Sequence, residues 1–398
     1  ELGQFPETLK ISKVTPIFKK GDINDINNYR PISLVPTFSK VIEILLKNQL
    51  SEYLEKHNLF SCNQFGFRSG RSTTHALSDL ASYIILAFEC KESVNALFCD
   101  LSKAFDCVDH NLLLMKLDFL GLSPLALQLI RMYLNQRKQC VVVNGHKSDI
   151  TNLKYGVPQG SVLCPLLFLI SINDLSYNID AHSVIYADDT NFLCKHTDLR
   201  TLYQLNDNII KQSKEWFFAN GFHLNEAKTE SFLFTLKHDV DANSYKTLGI
   251  HLDTSLSWET HINNITSKLS SIVYLFRRLK FILPHEYIRG AYFAYFQSII
   301  KYGLLLWGNS CHVHKIFLIQ KRVIRVLTNS SVKEHCKPLF VKEKIMTIYS
   351  LYIFEAIMYG KDNFISFENR NQEITYNLRK INNFDVPKCR LTKTMSNF

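Results

Sequence analysis

Nowhere in the 398 residues does an apolar run reach the ~20 residues that a membrane-spanning helix needs. The longest approach, Ala291 to Trp307, is interrupted by Gln297 and Lys301 and reads as a buried helix and its exit. No CxxC pair occurs among the ten cysteines, so the usual zinc-knuckle and redox spacings are missing. Cys311 with His314, and His335 with Cys336, are the remaining zinc-like pairs, and neither has knuckle spacing. Several cysteines lie in apolar runs such as Leu97-Phe98-Cys99 and Phe192-Leu193-Cys194, the pattern of buried, reduced thiols in an intracellular protein. No signal-peptide pattern, internal repeat or long low-complexity segment is present. The chain opens on Glu1 without a Met and stops in a polar stretch, so it is expected to be part of a longer product.

What is there is ordinary globular composition, 46% hydrophobic and 21% charged, which excludes a disordered or collagen-like chain. The net charge of +10 is unevenly spread. From Ser255 onward the balance is +12, while the first 254 residues carry −2. A basic segment on a near-neutral body suits a polyanionic partner, because phosphate contacts release counterions; a solvated basic surface is the alternative reading.

Lys13 to Phe18 alternates like a strand and leads into the turn Lys19-Lys20-Gly21-Asp22; Phe38 to Leu54 has helical periodicity. Asn95 to Cys99 reads as a buried strand ending at Asp100, and Asn111 to Leu120 as a helix closed by Gly121. Residues 137–154 read as a β-hairpin turning at Asn144-Gly145. Gly156-Val157-Pro158-Gln159-Gly160-Ser161 is a tight loop feeding an apolar helix expected to reach about Leu175. Ser183 to Ala187 and Asn191 to Lys195 flank Asp188-Asp189 as a second hairpin, and Asn206 to Ala219 is helical. Beyond Ser255 the pattern changes to long amphipathic helices, from about Ile262 to Phe281 and from about Lys315 to Leu327. In the second, Ile316, Ile319, Val323, Ile324 and Leu327 share one side, and Lys315, Lys321, Arg322 and Arg325 an opposing arc. From about Lys361 the chain is Asn-rich and weakly patterned.

The chemistry centres on aspartates. Asp100 closes one buried strand, and Asp188-Asp189 tips a hairpin far along the chain. Carboxylates brought side by side raise each other's pKa unless a cation lies between them. Mg²⁺ prefers a few carboxylates with water and substrate phosphate, and a pair of such ions suits in-line phosphoryl transfer. Because side chains alternate along a strand, Asp188 is taken as the ligand shared with Asp100, and Asp189 as the secondary carboxylate. Asp-Asp at a hairpin tip is also plain turn chemistry.

The surrounding words decide between these readings. Phe98-Cys99-Asp100-Leu101-Ser102-Lys103-Ala104-Phe105-Asp106, the Pro-Gln-Gly loop and Tyr186-Ala187-Asp188-Asp189 occur in that order. With them come Asn28-Tyr29-Arg30-Pro31-Ile32-Ser33, Gln64-Phe65-Gly66-Phe67-Arg68-Ser69-Gly70-Arg71, Gly221-Phe222-His223-Leu224-Asn225 with Lys228-Thr229, and Leu248-Gly249-Ile250. Together they resemble the reverse transcriptase of non-LTR (LINE, jockey-like) retrotransposons, from near Lys13 past Leu252, with a weaker helical likeness to about residue 330.

The resemblance implies an α+β right-hand polymerase: fingers over 1–94, a palm with an antiparallel sheet over 95–254 with a fingers insertion near 111–154, a helical thumb over 255–330, and a partly irregular extension over 331–398. It implies an RNA-directed DNA polymerase with two Mg²⁺ ions, Mn²⁺ being a possible substitute. Asp100, Asp188, Asp189 and the carbonyl of Leu101 would hold them, and Lys228 would protonate the leaving pyrophosphate. Phe105 would be the steric gate against a 2′-hydroxyl, with a core aromatic as the alternative. Gln159 and Gly160 would meet the incoming nucleotide, and Lys19 (or the adjacent Lys20) and Arg30 its triphosphate. Arg68, Arg71, Gly156, Leu248, Gly249, Lys321, Arg322 and Arg325 would contact template or primer.

The implied partners are an RNA template, a DNA primer, dNTPs and an element-encoded ribonucleoprotein, with an upstream endonuclease domain in the full-length protein and no membrane. The implied place is the nucleus, with ribonucleoprotein assembly in the cytoplasm. The rival readings are a non-catalytic RNA-binding remnant, and an RNA-dependent RNA polymerase or group II intron maturase on the same palm.

Overall fold

The computed structural model describes residues 5–237, 243–362 and 391. The Asn-rich stretch expected to be irregular lies almost wholly outside them. β1 (Ile11–Phe18) runs antiparallel to β2 (Tyr29–Leu34), pairing Lys13 with Leu34 and Phe18 with Tyr29. Their connection is built from Asx turns, in which Asp22 accepts from the Asn24 N–H and Asp25 from the Asn27 N–H. Helices α1 (Thr37–Lys56) and α2 (Thr73–Glu89) follow, then β3 (Ser93–Cys99). All seven residues of β3 are buried, as the unbroken apolar pattern before Asp100 requires.

Asp109 caps α3 (His110–Phe119), accepting from the N–H groups of Asn111 and Leu112. Ser123 does the same for α4 (Pro124–Leu134). β4 (Lys138–Val143) turns at Asn144 and Gly145, both at positive φ, into β5 (His146–Lys147), and pairs also with β6 (Thr151–Asn152). It lies parallel to β1, so residues 138–141 share a sheet with residues 11–14.

Next come α5 (Cys164–Ser171), β7 (His182–Tyr186), β8 (Asp189–His196), α6 (Leu199–Ala219) and β9 (Glu230–Phe234). β7, β8, β3 and β9 form a four-stranded sheet in that order. The apolar helix after the Pro-Gln-Gly loop stops at Ser171, short of the expected Leu175. Asn173 is diverted: its Oδ1 accepts from the Ser61 N–H at 2.9 Å, and its Nδ2 donates to the Leu59 carbonyl at 2.8 Å.

A separate hairpin, β10 (Ser244–Thr247) and β11 (Ile250–Asp253), precedes the helices α7 (Glu259–Leu279), α8 (His285–Ala291), α9 (Ser298–Lys301), α10 (Leu304–Trp307), α11 (His314–Leu327), α12 (Cys336–Glu343) and α13 (Ile348–Asp362). The expected single buried helix from Ala291 is broken: a π-helical stretch, Tyr292–Gln297, leads into α9, and a left-handed Gly303 precedes α10. α7 packs on α11 through buried Ile262, Ile265, Leu269, Val273 and Phe276 on one side and Ile316, Ile319, Val323, Ile324 and Leu327 on the other.

The chain forms two compact units. Of the described residues, the first holds those up to Ala76, Asn95–Cys194 and Leu199–Phe232; the second holds Leu77–Val94, Lys195–Asp198 and those from Leu233 onward. No helix among the described residues is long and apolar enough to cross a membrane.

One buried charge organises the first unit. Glu43 on α1 is fully buried; its carboxylate accepts from the Val162 N–H at 2.7 Å and from the Ser39 hydroxyl at 2.9 Å. It thereby satisfies backbone donors just ahead of α5, which no internal helical bond can reach. Glu43→Ala leaves those donors buried and unpaired, so chemical denaturation should show a loss of about 3 kcal/mol. A loss below about 0.5 kcal/mol would mean that water serves them equally well.

Candidate active site

Asp100 follows β3 directly, and its neighbours are fixed by backbone bonds to residues 223–225. The Asp100 carbonyl accepts from the Asn225 N–H at 2.8 Å, the Ser102 N–H donates to the His223 carbonyl at 2.9 Å, and Leu101 bridges Leu224. A tight turn follows, with the N–H groups of Lys228 and Thr229 on the Asn225 carbonyl. That turn brings the Lys228 Nζ to 3.3 Å from the Asp100 Oδ2, an ion pair open to solvent.

The second hairpin closes more tightly than its flanks suggested. Tyr186 pairs with Asp189, so the tip is Ala187-Asp188 and Asp189 already belongs to β8. Ala187 takes φ +57°, a strained conformation for alanine. The residue that holds it is Gln64, 2% exposed, which sequence reasoning quoted without a role. Its Oε1 accepts from the Gly66 N–H at 2.8 Å and from the Ala187 N–H at 3.2 Å. Phe65 N–H donates to the Ile185 carbonyl, and Ile185 N–H to the Asn63 carbonyl. A Cβ on Gly66 would fall 2.3 Å from the Ala187 nitrogen, so only glycine fits there. The signal was in the Gln-Phe-Gly word; its target was not.

These contacts set three carboxylates in one electrostatic neighbourhood. Partial desolvation, then the charge of Asp188 and then that of Asp100, push the Asp189 carboxyl up to about 6. Cys194, further along β8, lies at the Asn95 carbonyl, so β8 and β3 run past each other with the start of one beside the end of the other. Asp100 and Asp188, 88 positions apart in sequence, therefore act on a common group. Hard oxygen donors of one sign in mutual repulsion fit a divalent cation. Among the described residues no set of three or more His, Cys, Asp or Glu closes into a metal cage. Mg²⁺ does not ask for one, since it keeps waters and substrate phosphates. Among the described residues neither the Cys311/His314 nor the His335/Cys336 pair is joined by further His, Cys, Asp or Glu into a group of three.

Beside the aspartates, Ala104–Asp106 forms a single 3-10 turn entered through a left-handed Lys103. The half-buried Phe105 ring packs on Phe168, centroids 4.5 Å apart. The Pro-Gln-Gly loop clasps this turn. Val157 N–H donates to the Phe105 carbonyl at 2.9 Å, and the Gln159 Nε2 to the Asp106 Oδ1 at 2.8 Å. Gly156, at φ +81°, approaches so closely that a Cβ would sit 2.7 Å from the Asp106 backbone. On its far side the loop meets β2: the Ser33 N–H donates to the Gln159 carbonyl, and a Cβ on Gly160 would lie 2.8 Å from the Ser33 carbonyl oxygen. Burial raises the Asp106 carboxyl, opposed by the Gln159 hydrogen bond and by the charges of Lys103 and Lys19. The charge of Lys19 thus reaches the turn. Arg30 lies exposed on β2, opposite Ile17.

Arg68, expected to contact the template, is engaged within the protein. Its guanidinium donates to both oxygens of Glu55, at 3.0 and 2.8 Å, and to the Ser61 carbonyl at 2.7 Å, and it covers the Phe60 ring. Those bonds fix the loop that carries Gln64 and Gly66. Arg71 stays exposed, above the Phe65 ring.

Leu248, Gly249, Lys321, Arg322 and Arg325 belong to the second unit. Leu248 and Gly249 form the positive-φ turn of the β10–β11 hairpin, where the Tyr302 hydroxyl donates to the Leu248 carbonyl. Arg322 is exposed on α11. Lys321 lies over the Phe317 ring, and the Arg325 Nε donates to the Glu334 carbonyl.

The profile of the family described as reverse transcriptase (RNA-dependent DNA polymerase) matches residues 17–252. A probable RNA-directed DNA polymerase from transposon X-element of Drosophila melanogaster is 30% identical over 359 residues, 82% of this chain and 38% of that protein. The RNA-directed DNA polymerase from mobile element jockey of the same species is 29% identical over 358 residues, 83% and 39% of the two. The chain thus spans about two fifths of the length of these relatives. The structure of a Candida albicans telomerase, in complex with a fragment of telomeric RNA, superposes with a TM-score of 0.50 at 12% identity. It covers 86% of this chain and 66% of that one, a likeness of fold.

Two outcomes follow from the geometry. Gln64→Met keeps the bulk but loses the acceptor, so hydrogen exchange at the Ala187 amide should quicken by about tenfold or more while Gln64→Glu retains protection; equal exchange in all three proteins would deny Gln64 its hold. In metal-free protein, carboxyl NMR should find Asp189 titrating at about 6. Because the folded value lies above the unfolded one, this group's share of stability is present below about pH 4 and lost as pH rises through 6. Asp188→Asn should lower the midpoint; an unmoved midpoint would place the two carboxyls out of each other's reach.

Proposed function

The chain belongs to the reverse transcriptase (RNA-dependent DNA polymerase) family, and from that premise we propose that it extends a DNA primer along an RNA template as the polymerase of a non-LTR retrotransposon. The observation that carries the reading is the placement of Asp100 at the end of β3 and of Asp188-Asp189 at the tip of the β7–β8 hairpin, on neighbouring strands of one sheet. Asp100, Asp188 and the Leu101 carbonyl would hold two Mg²⁺ ions, with Asp189 beside them, and Mn²⁺ could substitute; when bound, the ions would supply activation of the attacking oxygen and charge neutralisation at the leaving pyrophosphate.

The chain's own residues do the rest. Lys228, whose ammonium already neighbours Asp100, carries the proton for the departing pyrophosphate. Lys19 and Arg30 grip the triphosphate, Arg30 by its fork and Lys19 as a point charge. The Phe105 ring, backed by Phe168, lies under the sugar and excludes a 2′-hydroxyl. The Gln159-Gly160 loop offers backbone to the nascent pair, with the Gln159 amide tied to Asp106, so it orients the turn of Phe105 as well as the nucleotide. Gly156 lets that loop close on the template strand. Leu248-Gly249 contacts the primer, Arg71 the template, and the basic helix with Lys321, Arg322 and Arg325 the phosphates.

In this reading the fingers, palm and thumb follow the boundaries expected from the sequence. Since the relatives are longer, target nicking by an upstream endonuclease, assembly with the element's RNA and action in the nucleus belong to the whole protein.

Primer extension on an RNA template with Mg²⁺ tests the reading. Asp188→Ala should lower DNA synthesis by about a hundredfold or more, the loss of several kcal/mol of transition-state stabilisation. Phe105→Ala should admit ribonucleotides. Binding of template and primer with no incorporation by the wild type would instead identify a non-catalytic remnant, and unaltered sugar selectivity would remove Phe105 from the gate.

A further inference from the structure

The Pro-Gln-Gly loop is entered through Gly156, whose backbone is held on both sides by the segment that follows Asp100. The Gly156 N–H donates to the Val108 carbonyl at 2.8 Å, and the Gly156 carbonyl lies 2.7 Å from the His110 Nε2. A carbonyl oxygen can only accept, so the imidazole carries a hydrogen on Nε2 and donates it. His110 is buried at the start of α3, directly behind the Asp109 cap. The proposed chemistry makes no use of this side chain.

The Gly156 carbonyl and the Val157 N–H are the two ends of one planar peptide unit. His110 holds the first end, and the Phe105 carbonyl accepts from the second at 2.9 Å. The imidazole therefore acts on the backbone of Phe105 across a single rigid plane. Gly156 is itself buried. Without the imidazole its carbonyl has to turn to find water, and the same rotation carries the Val157 N–H away from Phe105. The exit of the loop is anchored independently, by Glu43 on the Val162 N–H. Loss of the His110 bond is thus felt at the entry, where the loop meets the turn of Phe105 and where Gln159 reaches Asp106.

We propose that His110 is a positioning residue for nucleotide selection, setting the Phe105 ring and the Gln159-Gly160 loop at a fixed separation through the Gly156–Val157 peptide. This rests on Phe105 as the sugar gate and on the loop as the nucleotide contact. His110 touches neither substrate nor metal in this role.

Single-nucleotide extension of a primer on an RNA template tests it, with each dNTP set against the matching rNTP. The variants are His110→Asn and His110→Gln. Glutamine carries its amide nitrogen as many bonds from Cβ as histidine carries Nε2, and asparagine falls one bond short. His110→Asn should raise the KM for dNTP and lower the preference for dNTP over rNTP, each by about fivefold or more, the loss of one buried hydrogen bond. His110→Gln should stay within about twofold of wild type, since the donor is kept. A fold that was merely loosened would lose active molecules, and so kcat, while KM and sugar preference held. Without any substrate, hydrogen exchange at the Val157 amide should quicken by about fivefold or more in His110→Asn and not in His110→Gln. Unchanged KM and sugar preference in His110→Asn, equal impairment of the two variants, or unaltered exchange at Val157 would overturn the assignment while an active wild type keeps the polymerase reading. A wild type that incorporates no nucleotide would remove both.

Discussion

Three carboxylates share a corner of the first unit, where burial first, and then the charges of Asp188 and Asp100, raise the Asp189 carboxyl. Apolar packing alone gives no reason for such a meeting. It is imposed by the sheet: β3 and β8 are neighbours, the end of one lies by the start of the other, and the buried residues of both fix their depth. A one-residue slip would turn Asp189 toward the opposite face. At the same corner the Lys228 ammonium lies 3.3 Å from the Asp100 Oδ2, in a solvent-open ion pair.

Holding that cluster falls to backbone clasps rather than to large side chains. Gln64 and Gly66 grip the turn before Asp188, and Gly156 and Gln159 grip the turn that carries Phe105. At Gly66 and Gly156 the approach is closer than any Cβ permits, so these positions respond to substitution through geometry rather than through lost contacts. Arg68 extends the same logic: its bonds to Glu55 and Ser61 brace the loop that braces the hairpin. A chain of supports therefore runs from α1 to the aspartates within one unit.

Much of this was legible in the sequence. A run of buried residues before Asp100 announces a central strand; Asn144-Gly145 announces its hairpin; the spacing of Ile316, Ile319 and Val323 announces α11 and its apolar side. The order of the short words announces the family. What escaped has physical reasons. α13 is apolar around most of its surface, so no polar face marks it, and α12 is only eight residues long. Asn173 ends α5 by bonding to residues 59–61, a partner that no local pattern contains. Arg68 looked like a free cation beside Arg71 because Glu55 lies on a different element. The role of Gln64 depends on Ala187, more than a hundred residues away. Local propensity is written in the local sequence; long-range hydrogen bonds are not.

The central claim is that the residues at the end of β3 and at the tip of the β7–β8 hairpin face one cation site. Iron-directed cleavage reads this directly, since Fe²⁺ bound in place of Mg²⁺ cuts the nearby backbone when ascorbate and peroxide are added. The account predicts two cuts, one beside Asp100 and one beside Asp188, both suppressed by excess Mg²⁺ and both lost together in Asp100→Asn. A cut at one of these positions alone, or two cuts that Mg²⁺ and the substitution affect independently, would contradict it.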